Sequence, residues 1–363
     1  MIYLDYQATT PLAPEALAAM LPWLESQHAN PHSAHAPGRA AKAAVEVARD
    51  QVAGLLPPRG SVSFTSGATE ALNWAIQGTT GPIVTLATEH AAVLDTVAAE
   101  ARNGRQVTVL AVGTDGLIDL AAARAAILPG TGLVAAMLVN NEIGVIQPIA
   151  ELAALARSVG ALMLCDAVQG YGRESIPDEC DLIAISAHKV HGPKGVGALW
   201  IRDGVTIEPL LHGGLQELQG RSGTLSPALC AGFGAAAELA KQRFGADHAH
   251  AEQLFRAALA DMATDWTING SPGERYHGNL NLRREGLDVA RLMSDLRDIA
   301  FSAGSACASG SGRPSHVLRA LGLSDAQARS SIRLGFGRYT TQEELLTAIH
   351  RIDVAARAQR VAA

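Results

Sequence analysis

A lysine amine does chemistry when it is held out of water, and one lysine of this chain follows directly on an apolar run. Residues 182–186 read Leu-Ile-Ala-Ile-Ser, and Ala187-His188-Lys189 comes next. If that run is a strand of a parallel sheet, Lys189 emerges at the carboxyl edge, where open α/β sheets bind ligands. The other three lysines have simpler settings: Lys42 and Lys241 fall on helical surfaces, and Lys194 in a Gly-Pro-Lys-Gly turn. Lys189 is then either an amine of lowered pKa, apt for a Schiff base, or a structural oddity. A second apolar run, 161–165, ends in Asp166, which would leave the sheet at the same edge. Asp166 either caps the next helix or keeps a pyridine nitrogen protonated. A lysine and an acid placed together in this way suit a pyridoxal ring, which then serves as an electron sink for a carbanion at a substrate α-carbon.

Phe64-Thr65-Ser66-Gly67-Ala68-Thr69-Glu70 closes one strand pattern and opens a helix. Its first backbone N–H groups would face the positive end of a helix dipole, a place for a phosphate, although a Ser/Glu cap accounts for Ser66 and Glu70 as well. His90, after the run 83–86, is placed to lie against a cofactor ring and shuttle protons, or is simply structural. Cys165, Cys180 and Cys230 read as small buried hydrophobes. Cys307 differs, because Ser302 to Pro314 contains almost nothing but small residues around one thiol. Such a segment is expected to pack poorly and to leave a thiolate accessible. Arg333, alone inside the apolar run 331–336, needs an anion; a substrate carboxylate and a structural Asp or Glu are both open.

The elements that must position these groups alternate along the chain. Strand-length apolar runs at 61–64, 83–86, 107–112, 133–139, 161–165, 182–186 and 197–201 are separated by helical patterns, among them 149–159, stopped by Gly160. This rhythm predicts an α/β fold with a mainly parallel sheet covered by helices. After about Ala246 the pattern changes to a long helix, a strand at 279–283, a helix at 288–298, a strand at 331–336 and a final helix from Thr341, which reads as a smaller α+β domain. The expected division is an amino-terminal arm (1–15), a large domain (16–245) and a small domain (246–363) carrying the Cys307 loop.

Composition narrows the partners. With 29 basic and 35 acidic residues interspersed and a formal charge of −6, the 363-residue chain offers no basic stripe for nucleic acid or for an anionic membrane. No apolar run approaches the roughly 20 residues of a spanning helix, and the first residues do not read as a secretory signal, so a cytoplasmic location is expected. Four cysteines without a Cys-x-x-Cys pair suggest neither a disulfide framework nor a metal site.

Eight separated motifs carry a resemblance to a known family. They are Tyr3-Leu4-Asp5-Tyr6-Gln7-Ala8-Thr9-Thr10-Pro11, Thr65-Ser66-Gly67-Ala68-Thr69-Glu70, Thr88-Glu89-His90 and Val139-Asn140-Asn141-Glu142-Ile143-Gly144, followed by Asp166-Ala167-Val168-Gln169, Ser186-Ala187-His188-Lys189, Arg221-Ser222-Gly223-Thr224 and Gly304-Ser305-Ala306-Cys307. In order and spacing, over nearly the whole chain, they resemble cysteine desulfurases, within the class V aminotransferase group of fold-type I pyridoxal phosphate enzymes. The resemblance implies that Lys189 bonds the cofactor, Asp166 pairs its pyridine nitrogen, Gln169 and Asn141 reach the ring hydroxyl, and His90 stacks on the ring. It implies that Ala68, Thr69, Ser186 and His188 hold the phosphate, joined by Thr224 from a second subunit of a homodimer. Asn30, Asn141 and Arg333 would hold the carboxylate of L-cysteine. Cys307 would take the sulfur as a persulfide and pass it to an acceptor protein, such as an iron–sulfur scaffold or a sulfur carrier for tRNA thiolation or thiamine. The long loop between Cys307 and Pro314 resembles the nitrogen-fixation and housekeeping branch, whereas the short tail after the final helix departs from the housekeeping members and leaves the acceptor open. A selenocysteine β-lyase or an aminotransferase would share Lys189, Asp166 and the phosphate cup; Cys307 separates these readings, because transamination needs no such thiol.

Overall fold

The computed structural model describes residues 1–304 and 314–361. Its centre is a seven-stranded sheet in the order Gly60–Thr65, Gly197–Arg202, Leu182–Ser186, Leu162–Asp166, Leu133–Met137, Ile83–Leu86 and Val107–Leu110. All neighbours pair in parallel except Gly197–Arg202, which runs antiparallel to both strands beside it. Both faces are covered, so the inner strands read as continuous apolar runs, and the twofold alternation of side chains divides them between two cores. Leu133 and Ala135 pack with Leu72, Trp74, Ile76 and Leu164 on one face. Val134 and Ala136 pack with Phe64, Cys165, Ile183, Trp200 and Phe233 on the other.

A four-stranded antiparallel sheet holds Ser302–Ala303, Ser331–Gly335, Asn279–Arg283 and Thr267–Ile268, in that order. Its apolar side meets the helices Val289–Asp295 and Gln342–Val361 around Leu282, Leu292, Ile332, Leu334 and Leu345. One 35-residue helix, Pro227–Asp261, links the two cores: Phe233 and Ala237 lie in the large one, Leu254, Phe255 and Ala258 in the small one. It starts with Pro227 in its first turn under a Ser226 cap and runs without a break through the 245/246 boundary expected from the pattern.

The expected strand at 107–112 stops at Leu110, after which Val112 makes an isolated bridge to Ile118. The arm is the larger surprise. Ile2–Tyr3 pairs in parallel with Ile299–Ala300, and Leu4 is fully buried among the small-sheet side chains. Residues at the front of the chain are thereby stitched to strands near its end.

The buried Phe233 ring meets Phe64 and Tyr171 edge-on, at centroid separations of 6.3 and 6.0 Å. Phe233→Ala is expected to cost about 3–5 kcal/mol by removing apolar contacts and leaving a cavity. Urea denaturation checks this through a lowered midpoint at unchanged slope; an unmoved midpoint would show that the linking helix does not depend on this contact.

Candidate active site

Adjacent parallel strands end side by side, so their last residues meet at one edge. Leu162–Asp166 delivers Asp166 there, and Leu182–Ser186 delivers Ser186 followed by the single 3₁₀ turn Ala187–Lys189. Gly60–Thr65 leads into the helix Ala68–Gln77, and His90 caps the helix Ala91–Arg102 that follows Ile83–Leu86. Together they wall a cavity of about 480 Å³. Of the residues expected from sequence, Ala68, Thr69, His90, Asn141, Asp166, Gln169, Ser186, His188, Lys189 and Arg333 all line it. Asn30 does not: it is exposed, and its Oδ1 accepts from the His32 N–H at 2.8 Å. Thr224 is also exposed and does not line the cavity. Cys307 lies outside the described residues.

The Ser66/Glu70 pairing expected of a cap is present, yet it leaves the helix end itself uncapped. Gly67 is the N-cap of Ala68–Gln77, and no side chain caps the helix. Glu70 instead turns back to accept the Ser66 N–H at 2.7 Å and the Arg221 Nε at 2.8 Å. The first turn therefore opens towards the cavity, with the positive end of the helix dipole behind it. A Cβ on Gly197 would stand 2.7 Å from the Gly67 carbonyl carbon, so the antiparallel strand must carry glycine there to back the cup.

Burial governs the charges. Asp166 accepts the Val168 N–H at 3.0 Å, and desolvation still raises its pKa, with His90 and Lys189 opposing. A carboxylate in that position favours a further cationic N–H, which the pyridine nitrogen of pyridoxal phosphate would supply. His90 Nδ1 accepts the Ala92 N–H at 3.0 Å, which puts the proton of the neutral ring on Nε2. Burial lowers the His90 pKa, Asp166 works against that, and Lys189 and His316 add to it. His188, whose Nδ1 lies 3.2 Å from Thr9 Oγ1, is driven down to about 4 by burial and by Lys189, Lys194 and Arg173. A neutral His188 can still donate one hydrogen bond to a phosphate oxygen. The amine, the acid, the open helix end and the cavity thus fit this cofactor.

The Lys189 Nζ donates to the backbone carbonyls of Gln7 and Ala8, the latter at 2.8 Å. Gln169 is already engaged, its Nε2 donating to Gln7 O at 2.9 Å and its Oε1 accepting from Arg173 at 2.6 Å. Arg333 is fully buried, donates to the Asn141 carbonyl at 2.9 Å and pairs with Asp5 at 2.7 Å. The two partners left open for this arginine are therefore compatible: it meets a structural carboxylate and still lines the cavity.

Several participants escaped the sequence reading. Gln7 and Ala8 belong to a quoted motif but carried no signal of facing Lys189. Lys194, assigned only to a turn, also lines the cavity. Glu89 is fully buried, accepts the Met137 N–H at 2.9 Å, and has its pKa raised well above the usual carboxylate range by desolvation, with Asp166 adding to the effect. Cys165, Cys180 and Cys230 are buried free thiols, as expected, and burial pushes Cys230 up to about 12.

Residues 2–347 match the family Aminotransferase class-V. The cysteine desulfurase of Saccharomyces cerevisiae mitochondria is 46% identical over 361 residues, covering 95% of this chain and 72% of that protein. Among solved structures, a NifS-like protein superimposes with a TM-score of 0.90 at 30% identity, covering 99% of both chains. SspA in complex with cysteine gives 0.83 at 34% identity, covering 94% of this chain and 100% of that one.

His191, two residues beyond Lys189, is buried, and desolvation with Arg338 and Arg173 holds its pKa down at about 3. Unfolded, a histidine takes up a proton below about 6.5; folded, this one does not until about 3, so its contribution is complete above pH 6.5 and is lost as the pH falls. Between pH 7 and 5 the unfolding free energy of His191→Asn is expected to drop about 2 kcal/mol less than that of the parent protein. Equal drops in denaturant titrations at the two pH values would mean that His191 is protonated in the fold.

Proposed function

The chain belongs to the class-V aminotransferase family and, within it, to the cysteine desulfurases, and from that membership we propose how its residues divide the reaction. Its cofactor is pyridoxal 5′-phosphate, and its reaction converts L-cysteine to L-alanine with transfer of the sulfur to a thiol. The observation that carries the assignment of roles is the convergence of Lys189, Asp166, His90, Arg333 and the uncapped turn at Ala68 on one cavity.

Ala68 and Thr69 hold the phosphate at the helix end, with Ser186 and His188 beside them. Lys189 bonds the cofactor through its amine, Asp166 keeps the pyridine nitrogen protonated, Gln169 and Asn141 hold the ring hydroxyl, and His90 covers the ring. Bound there, the cofactor supplies an electron sink for negative charge at the substrate α-carbon. Arg333 and Asn141, with Asn30 brought in from its exposed loop, orient the substrate carboxylate. The Lys189 Nζ would move the proton at the substrate α-carbon. Cys307 then attacks as a thiolate: its bond to the substrate sulfur forms as the Cβ–S bond breaks, the electron pair stays with carbon, and carbon takes up a proton to become the methyl of alanine. Cys307 is left with the persulfide, for delivery to an iron–sulfur scaffold or a sulfur carrier for tRNA or thiamine.

Further support extends the reading to assembly and compartment. Thr224 is exposed and does not line its own cavity, so as a phosphate ligand it would serve a second copy of the chain in a homodimer. Leu17, Leu21 and Leu24, at helical spacing and 45%, 40% and 62% exposed, offer an apolar face that such a copy would cover. Three free thiols and a persulfide chemistry suit a reducing compartment, the cytoplasm. No described helix is long and apolar enough to cross a membrane.

Incubated with L-cysteine and dithiothreitol, the holoenzyme is expected to release alanine and sulfide in equal amounts. Cys307→Ala should retain the cofactor absorbance and its response to L-cysteine while forming no persulfide. Unchanged sulfide release by that variant would remove Cys307 from the mechanism, and a parent protein that makes neither product would overturn the substrate.

A further inference from the structure

Residues 5–10 of the amino-terminal arm have no part in the reaction as divided above, yet they touch much of its polar machinery. The Gln7 carbonyl accepts from Lys189 and Gln169, the Ala8 carbonyl from Lys189, and Thr10 donates twice to the His188 carbonyl. Asp5 goes further, because it meets the group that recognises substrate. Its Oδ1 accepts from Arg333 Nη2 at 2.7 Å and from the Ser302 hydroxyl at 2.8 Å, and Ser302 Oγ accepts from the same Nη2 at 3.2 Å.

A guanidinium carries five N–H donors in one plane, so two bonds on one nitrogen, with a third from Nη1 to the Asn141 carbonyl, fix that plane. Arg333 Nε is buried and without a partner among the described residues. Asp5 does not line the cavity, although Arg333 does, so Asp5 holds the guanidinium from behind and leaves the place of the substrate open. The arm is fixed in turn by the parallel pairing of Ile2–Tyr3 with Ile299–Ala300, by fully buried Leu4, and by the bridge of Asp5 to Gly335, two residues beyond Arg333. Stripped of Asp5, a wholly buried arginine loses its carboxylate and turns to whatever acceptor remains.

We propose that Asp5 is a positioning residue that fixes Arg333 for the α-carboxylate of the substrate, so that the amino-terminal arm makes the enzyme select amino acids over simple amines. This rests on Arg333 binding that carboxylate, as assigned above. The two effects of removing Asp5 oppose one another: a freed positive charge attracts carboxylates, and a lost orientation weakens them. Orientation wins here because the guanidinium is buried and its useful donors are directional.

The test is to titrate the visible absorbance of the holoenzyme with L-alanine and with ethylamine, which differ by the carboxylate. In Asp5→Ala the affinity for L-alanine is expected to fall on the order of tenfold or more, as for loss of a charge-assisted bond, with ethylamine unchanged. Equal weakening of both would make the arm merely structural and overturn the proposal, as would an unchanged or tightened affinity for L-alanine. Should Asp5→Ala not fold, Ser302→Ala removes a partner of both Asp5 and Arg333 from outside the arm; a loss confined to L-alanine supports the proposal, and one that is absent or shared with ethylamine contradicts it. A parent protein that responds to neither amine would instead fail the desulfurase reading itself.

Discussion

One buried strand ends in an acid and its neighbour leads within one turn to a lysine, and the rest of the site is arranged to give those groups partners. Asp166 and the lysine a turn beyond Ser186 emerge where the sheet stops and the core has not yet given way to water. Burying a charge there is tolerable only with compensation. The compensation is local for Asp166, through the Val168 N–H, His90 and Lys189. For Lys189 it comes from the opposite end of the chain, as the carbonyls of Gln7 and Ala8. The same logic explains why Arg333, fully buried in the small sheet, is met by Asp5.

This arrangement makes the cavity a junction of three parts. The large sheet supplies the edge and the cup, the small sheet supplies Arg333, and the arm bonds to both. The helix Pro227–Asp261 contributes side chains to both cores, while the arm bonds to Lys189 from the large sheet and to Arg333 from the small one. A change in any one part reaches the same few hydrogen bonds.

Much of this was legible in the sequence where the cause is local. The run 182–186 followed by His188 and Lys189, the acid ending the run before it, and the small residues before Ala68 all follow from periodicity and chain chemistry, and the cavity brings them together. What escaped reading depends on contacts between distant residues. Arg333 and Asp5 are 328 positions apart, and nothing near either names the other. The reversed strand Gly197–Arg202 has the same apolar pattern as its parallel neighbours, because both of its faces are covered. The helix Pro227–Asp261 runs unbroken through 245/246, where the pattern changes, because a helical repeat carries no mark of which core each turn meets. Lys194 reads as a turn residue because its distance from the cavity is a tertiary property.

Lys194 is the other amine at this cavity that could bond the cofactor. Two lysine amines border one cavity, the first paired to the arm and the second exposed at the rim. Reducing the holoenzyme with borohydride and mapping the pyridoxyl group by peptide mass spectrometry distinguishes them. The label is expected on the peptide carrying Lys189 alone; a label on Lys194 would show that the pairing of amine and acid at the sheet edge is not what holds the cofactor.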